Sequence, residues 1–214
     1  SLLISGGIYE STIAAASSHN STAERQYRFP LEYGGQRTPT AQWTVTGAGA
    51  YVLMSDGNGP HIAGVMPGRS VERGIDDANN MGAAMAPAVI DTLTRYFTQT
   101  GTSPSDYDLI ATGDLGVEGH GIVSELMKNE GYDMGENYSD CGMLIYDIEK
   151  QDMHAGASGC GCSAVVLAAS LLERIKCGDL SDILFIGTGA LMNPMSVQQG
   201  QAIPGIAHLV RIKK

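Results

Sequence analysis

The sequence predicts an α/β protein: a largely buried mixed sheet with helices on both faces. Three observations carry this expectation. Apolar runs of strand length end in glycine or polar residues, as at 109–114 and 182–189. Longer stretches, 80–97 and 164–175, repeat apolar residues at helical spacing. The two kinds of segment alternate along the chain. The 28 glycines lie between apolar runs rather than in a Gly/Ser tract, so they point to close backbone packing and not to disorder.

The elements follow in order. Residues 1–7 read as the last turn of a helix with a glycine stop, and the chain, opening on Ser1, reads as a piece of a longer protein. Residues 11–17 form a short apolar run expected to be a buried strand. The polar stretch 21–42 reads as a long loop with some helix. Residues 43–54 and 61–66 flank the turn signal Asp56-Gly57-Asn58-Gly59 and are expected to pair as a hairpin. A helix is expected over 80–97, with Pro87 kinking it or marking its start. Strand 109–112 follows, then a short helix at 122–128. Residues 131–142 read as loop, and 143–146 as a short strand or turn. A helix opening at Ser158-Gly159-Cys160 runs to Cys177-Gly178. Strands at 182–186 and 206–212 close the chain.

Composition excludes several classes of function. A formal charge of −10 and a sequence pI of about 4.8 argue against a nucleic-acid partner, which needs a basic surface. No apolar run reaches the roughly 20 residues that span a bilayer. Four cysteines in a chain of this length do not make a disulfide framework, which points to a reducing, intracellular compartment. The glycine turns at Gly47-Ala48-Gly49 and Gly187-Thr188-Gly189 lack the third glycine of a dinucleotide site. Cys160 and Cys162 are two apart at a helix start and cannot share a face, and Cys141 and Cys177 have no zinc-type spacing. No cofactor and no metal are therefore expected. His120 and His154 read as ordinary loop histidines. Cys160 has two readings: buried small-residue packing, or a nucleophile if His19, His120 or His208 comes close.

One constellation remains. Ser18-His19-Asn20, Gly113-Asp114, Ser158-Gly159-Cys160 and Gly187-Thr188-Gly189 all fall at strand ends or a helix start. In an open α/β sheet such segments converge outside the carboxyl ends of the strands, where ligands bind.

Longer motifs carry a family resemblance. They are SSHNSTAERQ at 17–26, EYGGQ at 32–36, MGAAMAPA at 81–88, YDLIATGDL at 107–115, GCGCSAVV at 159–166 and IPGIAH at 203–208. With them the chain resembles the stage V sporulation protein AD family over its whole length. The resemblance implies a thiolase-like αβαβα fold of two similar halves, with 1–50 ending the first and 51–214 forming the second. It implies a role in spore-forming bacteria: moving pyridine-2,6-dicarboxylate (dipicolinate), free or as its calcium chelate, into the forming spore and out at germination. It also implies membrane-embedded partner proteins, a peripheral place at the spore inner membrane, and a possible homodimer.

Enzyme relatives of that fold transfer acyl groups. Their usual second-half histidine slot resembles Gly113-Asp114-Leu115 here, and their second cysteine slot resembles Gly187-Thr188-Gly189. His154 lies one residue out of the thiolase-like spacing. A carboxylate at Asp114 would repel a developing oxyanion, so binding without catalysis is the expectation. The implied ligand site is Ser18, His19, Asn20, Arg25, Asp114, Ser158, Cys160 and Thr188. Asp114 would face calcium if the chelate binds. A scaffold for membrane partners and an active acyltransferase are the alternatives.

Overall fold

A computed structural model describes residue 4, residues 6–19 and residues 38–214, so the predicted loop over 21–42 lies mostly outside the described residues. In chain order the elements are β1 (Ser11–Ser18), β2 (Trp43–Thr44), β3 (Gly47–Met54), β4 (His61–Met66), α1 (Met81–Thr100), β5 (Leu109–Thr112), α2 (Gly116–Asn129), β6 (Tyr138–Asp140) and α3 (Cys141–Leu144). Then come β7 (Ala157–Ser158), α4 (Cys160–Val166), a π turn (Leu167–Leu171), α5 (Leu172–Cys177), β8 (Asp182–Ala190), α6 (Pro194–Gln198) and β9 (Gly205–Lys213).

The main sheet runs β4-β9-β8-β5-β6. Strand β5 is parallel to β8 and β6, while β9 is antiparallel to β8 and β4. Both faces are apolar because alternate residues of buried strands point to opposite sides. Ile110, Leu184, Ile186 and Leu209 pack with α1 and α2 around Met85, Leu93, Phe97, Val123 and Met127. Leu109, Ala111, Ile183 and Ile212 pack on the other side with Leu167, Leu171 and Ile175. Helices α1 and α2 cross closely through glycines: a Cβ on Gly82 would lie 2.3 Å from the Leu115 carbonyl oxygen and 2.8 Å from the Gly119 nitrogen. Pro87 lies inside α1 and does not start it. Helix α2 begins at Gly116, six residues earlier than its apolar periodicity suggests.

The predicted hairpin does not form. Strand β3 pairs with β1, Ser11 opposite Met54 through Ser18 opposite Gly47, and β4 pairs with β9. The Asp56–Gly59 turn thus passes the chain from one sheet to the other. Nor is β1 a buried strand. The face that carries Ile13 (70% exposed), Val52 (69%) and Met54 (62%) is open, while the opposite face lies on α4. Helix α4 and the π turn therefore sit between two sheets.

The π turn has a local cause. Tyr51 on β3 donates its hydroxyl hydrogen to the Ala164 carbonyl and accepts from the Ala168 amide. These two groups would otherwise bond to each other, so the hydroxyl stands in the helix ladder and the turn widens around it. Burial and the nearby Cys141 push the Tyr51 hydroxyl up to about 12.

Candidate functional site

Strands β5 and β8 are parallel neighbours, and their carboxyl ends open on a cavity of about 510 Å³. Asp114 follows β5 and is 8% exposed. Its Oδ1 accepts from the Thr188 hydroxyl at 2.6 Å. Its Oδ2 accepts from the Ser158 hydroxyl at 2.9 Å and the Gly159 amide at 3.0 Å. Gly159 holds a φ of 101°, which L side chains rarely adopt, and a Cβ there would lie 2.8 Å from the Ser18 Oγ.

The Asp114 backbone is fixed as firmly as its side chain. Its N–H donates to the Thr188 Oγ1 at 3.1 Å, and its carbonyl accepts from the Gln42 amide at 2.8 Å. The same Gln42 nitrogen donates to the Ala157 carbonyl at 2.8 Å. Among the described residues no buried side-chain N or O lacks a partner. Burial pushes the Asp114 carboxyl above the ordinary carboxylate range, against the pull of the hydrogen bonds from Thr188, Gly159 and Ser158.

A second buried carboxylate, Asp140, lies behind the first. Its Oδ2 accepts from the Thr112 hydroxyl at 2.6 Å and the Leu115 amide at 2.9 Å. Its Oδ1 accepts from the Gly116 and Gly142 amides, each at 2.9 Å. Burial pushes it up to about 7, opposed by the hydrogen bonds from Thr112, Gly116 and Leu115 and aided by Asp114.

The structure brings five of the eight expected residues into one wall: Ser18, Asp114, Ser158, Cys160 and Thr188 all line the cavity. The Ser18 hydroxyl also has a structural task. It donates to the Val45 carbonyl at 2.6 Å and accepts from the Gly161 amide at 2.9 Å, tying β1 to the start of α4. His19 is exposed just past β1 and is not part of the wall. Asn20 and Arg25 lie outside the described residues.

Cys160 is exposed, which removes the buried-packing reading, whereas Cys162 two residues on is buried. The three histidines weighed as its partners are not in the cavity wall. His120 is on α2, not in a loop, and stacks on Tyr138 with ring centroids 4.3 Å apart. His208 accepts from the Gly68 amide, and His154 sits against the Thr38 carbonyl.

The sequence reading missed Gln42, Met81, Met85, Leu191 and Met192, which complete the wall. Met81 and Met85 are four apart on α1 and read equally well as core. Gln42 falls in a polar stretch with nothing to single it out. Asp114 is the one acidic or basic side chain among the described lining residues, so the cavity joins an acidic floor to apolar sides.

Solved structures with a similar fold include condensing enzymes. AbyA1, a tetronic acid condensing enzyme, superposes with a TM-score of 0.58 at 13% identity, over 99% of this chain and 62% of that one. The 3-oxoacyl-(acyl carrier protein) synthase III of Pseudomonas aeruginosa PAO1 gives 0.55 at 15%, over 99% and 62%. At such identities the likeness is one of fold, and the fold is thiolase-like. The sequence places the chain more narrowly. The profile of the stage V sporulation protein AD (SpoVAD) family matches residues 1–213. The Stage V sporulation protein AD of Bacillus subtilis (strain 168) is 45% identical over 208 residues, 97% of this chain. The chain belongs to the stage V sporulation protein AD family, and it spans 61% of the length of that relative.

Proposed function

We propose that the Asp114 cavity binds dipicolinate, as its calcium chelate, and that the protein serves its uptake during sporulation and its release at germination without chemistry on the ligand. The observation that carries this reading is the cavity's composition. Its volume of about 510 Å³ suits a small ring compound. The thioethers of Met81, Met85 and Met192 offer an aromatic ring favourable sulfur contacts.

The one acidic or basic group among the described lining residues is a carboxylate. In its ionised form it would repel a bare dianion. A calcium chelate is neutral, and calcium favours oxygen ligands such as Asp114. Ionised, the same carboxylate disfavours acyl transfer, because it opposes the negative charge that develops on a carbonyl oxygen. Membership of a sporulation protein family supports the setting. Membrane-embedded partners would supply the passage itself, since no helix among the described residues is long and apolar enough to cross a membrane.

The test is calorimetric titration of the full chain with dipicolinate, with and without calcium, beside Asp114→Ala and His19→Ala. Saturable binding that needs calcium and is lost in Asp114→Ala supports the reading. An affinity unchanged in Asp114→Ala removes the cavity from it. Absence of heat and of any thermal shift under all conditions refutes ligand binding and leaves a scaffold role.

A further inference from the structure

Asp140 is fully buried and does not line the cavity. We propose that Asp140 is the positioning residue of the ligand site: its carboxylate holds the 113–116 turn so that Asp114 meets Ser158, Gly159 and Thr188. This rests on the cavity being the ligand site. The placement itself is a matter of geometry.

The turn leaves β5 and enters α2 through Gly116, whose φ is +65°. The amides at this point need a partner, because the first amides of a helix have none within it. Asp140 supplies one. It accepts the N–H groups of Leu115 and Gly116, the two residues that follow Asp114, through different oxygens at 2.9 Å each. Thr112, two residues before Asp114, donates to the same carboxylate at 2.6 Å. One side chain therefore grips the chain on both sides of Asp114.

Its fourth bond, from the Gly142 amide, caps the four-residue helix α3. Capping alone would need neither of the bonds to the turn. Asp140 itself is held in register by β6, in which it pairs with Thr112. Gln42 and Thr188 fix the Asp114 carbonyl and amide from the cavity side, and Asp140 fixes the turn from behind.

The test separates this role from the ligand question. In Asp140→Asn, with the amide oxygen in the Oδ1 place, the NH2 group meets the Leu115 N–H donor to donor. Hydrogen exchange is then read at Gly159, whose amide bonds to Asp114 and not to Asp140, with the Leu184 amide of β8 as the reference for global opening. Gly159 exchange should accelerate by roughly tenfold or more while Leu184 stays at the wild-type rate. Thr112→Val, which removes one donor to Asp140, should move Gly159 in the same direction, and Thr112→Ser should restore it. If Asp140→Asn does not fold, the Thr112 pair carries the same readout.

Gly159 exchange at the wild-type rate in the folded variants overturns the proposal. Titration with calcium and dipicolinate should show roughly tenfold weaker binding in Asp140→Asn and Thr112→Val. Failure of the wild-type protein to bind overturns the ligand reading, and the Gly159 exchange still decides what Asp140 does.

Discussion

Replacing Thr188 with valine should destabilise the protein far more than the loss of one hydroxyl at a half-buried position would suggest. The side chain keeps nearly its shape, so packing changes little. What is lost is a hydroxyl that works twice on one residue: it donates to the Asp114 Oδ1 at 2.6 Å and accepts the Asp114 N–H at 3.1 Å. A hydrogen bond to a charged group contributes about 1.5–3 kcal/mol and a neutral one about 1 kcal/mol. The acceptor left behind belongs to a carboxylate only 8% exposed, so little water replaces the donor. A loss of about 3 kcal/mol follows. For a chain of this size that lowers the melting temperature by roughly 6–12 °C. The assay is urea and thermal unfolding of wild type, Thr188→Val and Thr188→Ser, with serine expected to recover most of the loss. A valine variant as stable as wild type would refute the reasoning, because it would mean that Asp114 does not depend on this partner.

Other expectations follow from the same geometry. The Asp140 carboxyl is raised to about 7 in the fold from an ordinary 3.8, so the folded state holds its proton more tightly than the unfolded chain. That contribution is fully present below pH 4 and is lost as pH rises through 7, in total about 4 kcal/mol. Chemical denaturation of wild type and Asp140→Asn at several pH values should show the difference between them shrinking or reversing over that window. Gly82→Ala would place a methyl 2.3 Å from the Leu115 carbonyl oxygen, forcing α1 and α2 apart at a cost of about 3 kcal/mol, measurable by urea unfolding. Of the four thiols, exposed Cys160 and Cys177 should react with an alkylating reagent in the native state. Cys141 and Cys162 should not, because burial shields both and pushes both thiols up. Calcium dipicolinate should protect Cys160, which lines the cavity, and leave Cys177 unprotected, as read by peptide mass spectrometry.

Much of the main sheet is legible because its central strands are largely buried. The runs at 109–112 and 182–186 have few other readings, and they place Asp114 and Thr188 side by side at the same end. Pairing was harder. Asp56-Gly57-Asn58-Gly59 is a good turn, but a turn shows only that the chain changes direction. The partner of β3 lies well upstream, with Ser18 opposite Gly47 and Ser11 opposite Met54, and no local signal names it. The run at 11–17 reads as a buried strand because alanines and an isoleucine suit an interior equally well. Asp140 was hidden for a different reason. It ends a three-residue strand and caps a four-residue helix, both too short to show a period. Gln42 acts through its amide on two carbonyls 72 and 115 residues away, a relation that only the folded chain contains.

The tyrosine hydroxyl lodged in the helix after Cys160 has a consequence for how that helix can vary. A π turn is in effect one surplus residue, and one residue is about 100° of rotation around a helix axis. Upstream of Leu167 the helix also faces the cavity and β1, with Cys160 outward and Cys162 inward. Downstream it is phased by the main sheet, with Leu171 and Ile175 inward. Tyr51 lets the two settings coexist in one continuous helix. The cavity end can therefore be retuned without turning the end that seals the core, and a phenylalanine at 51 would force both ends onto a single phase.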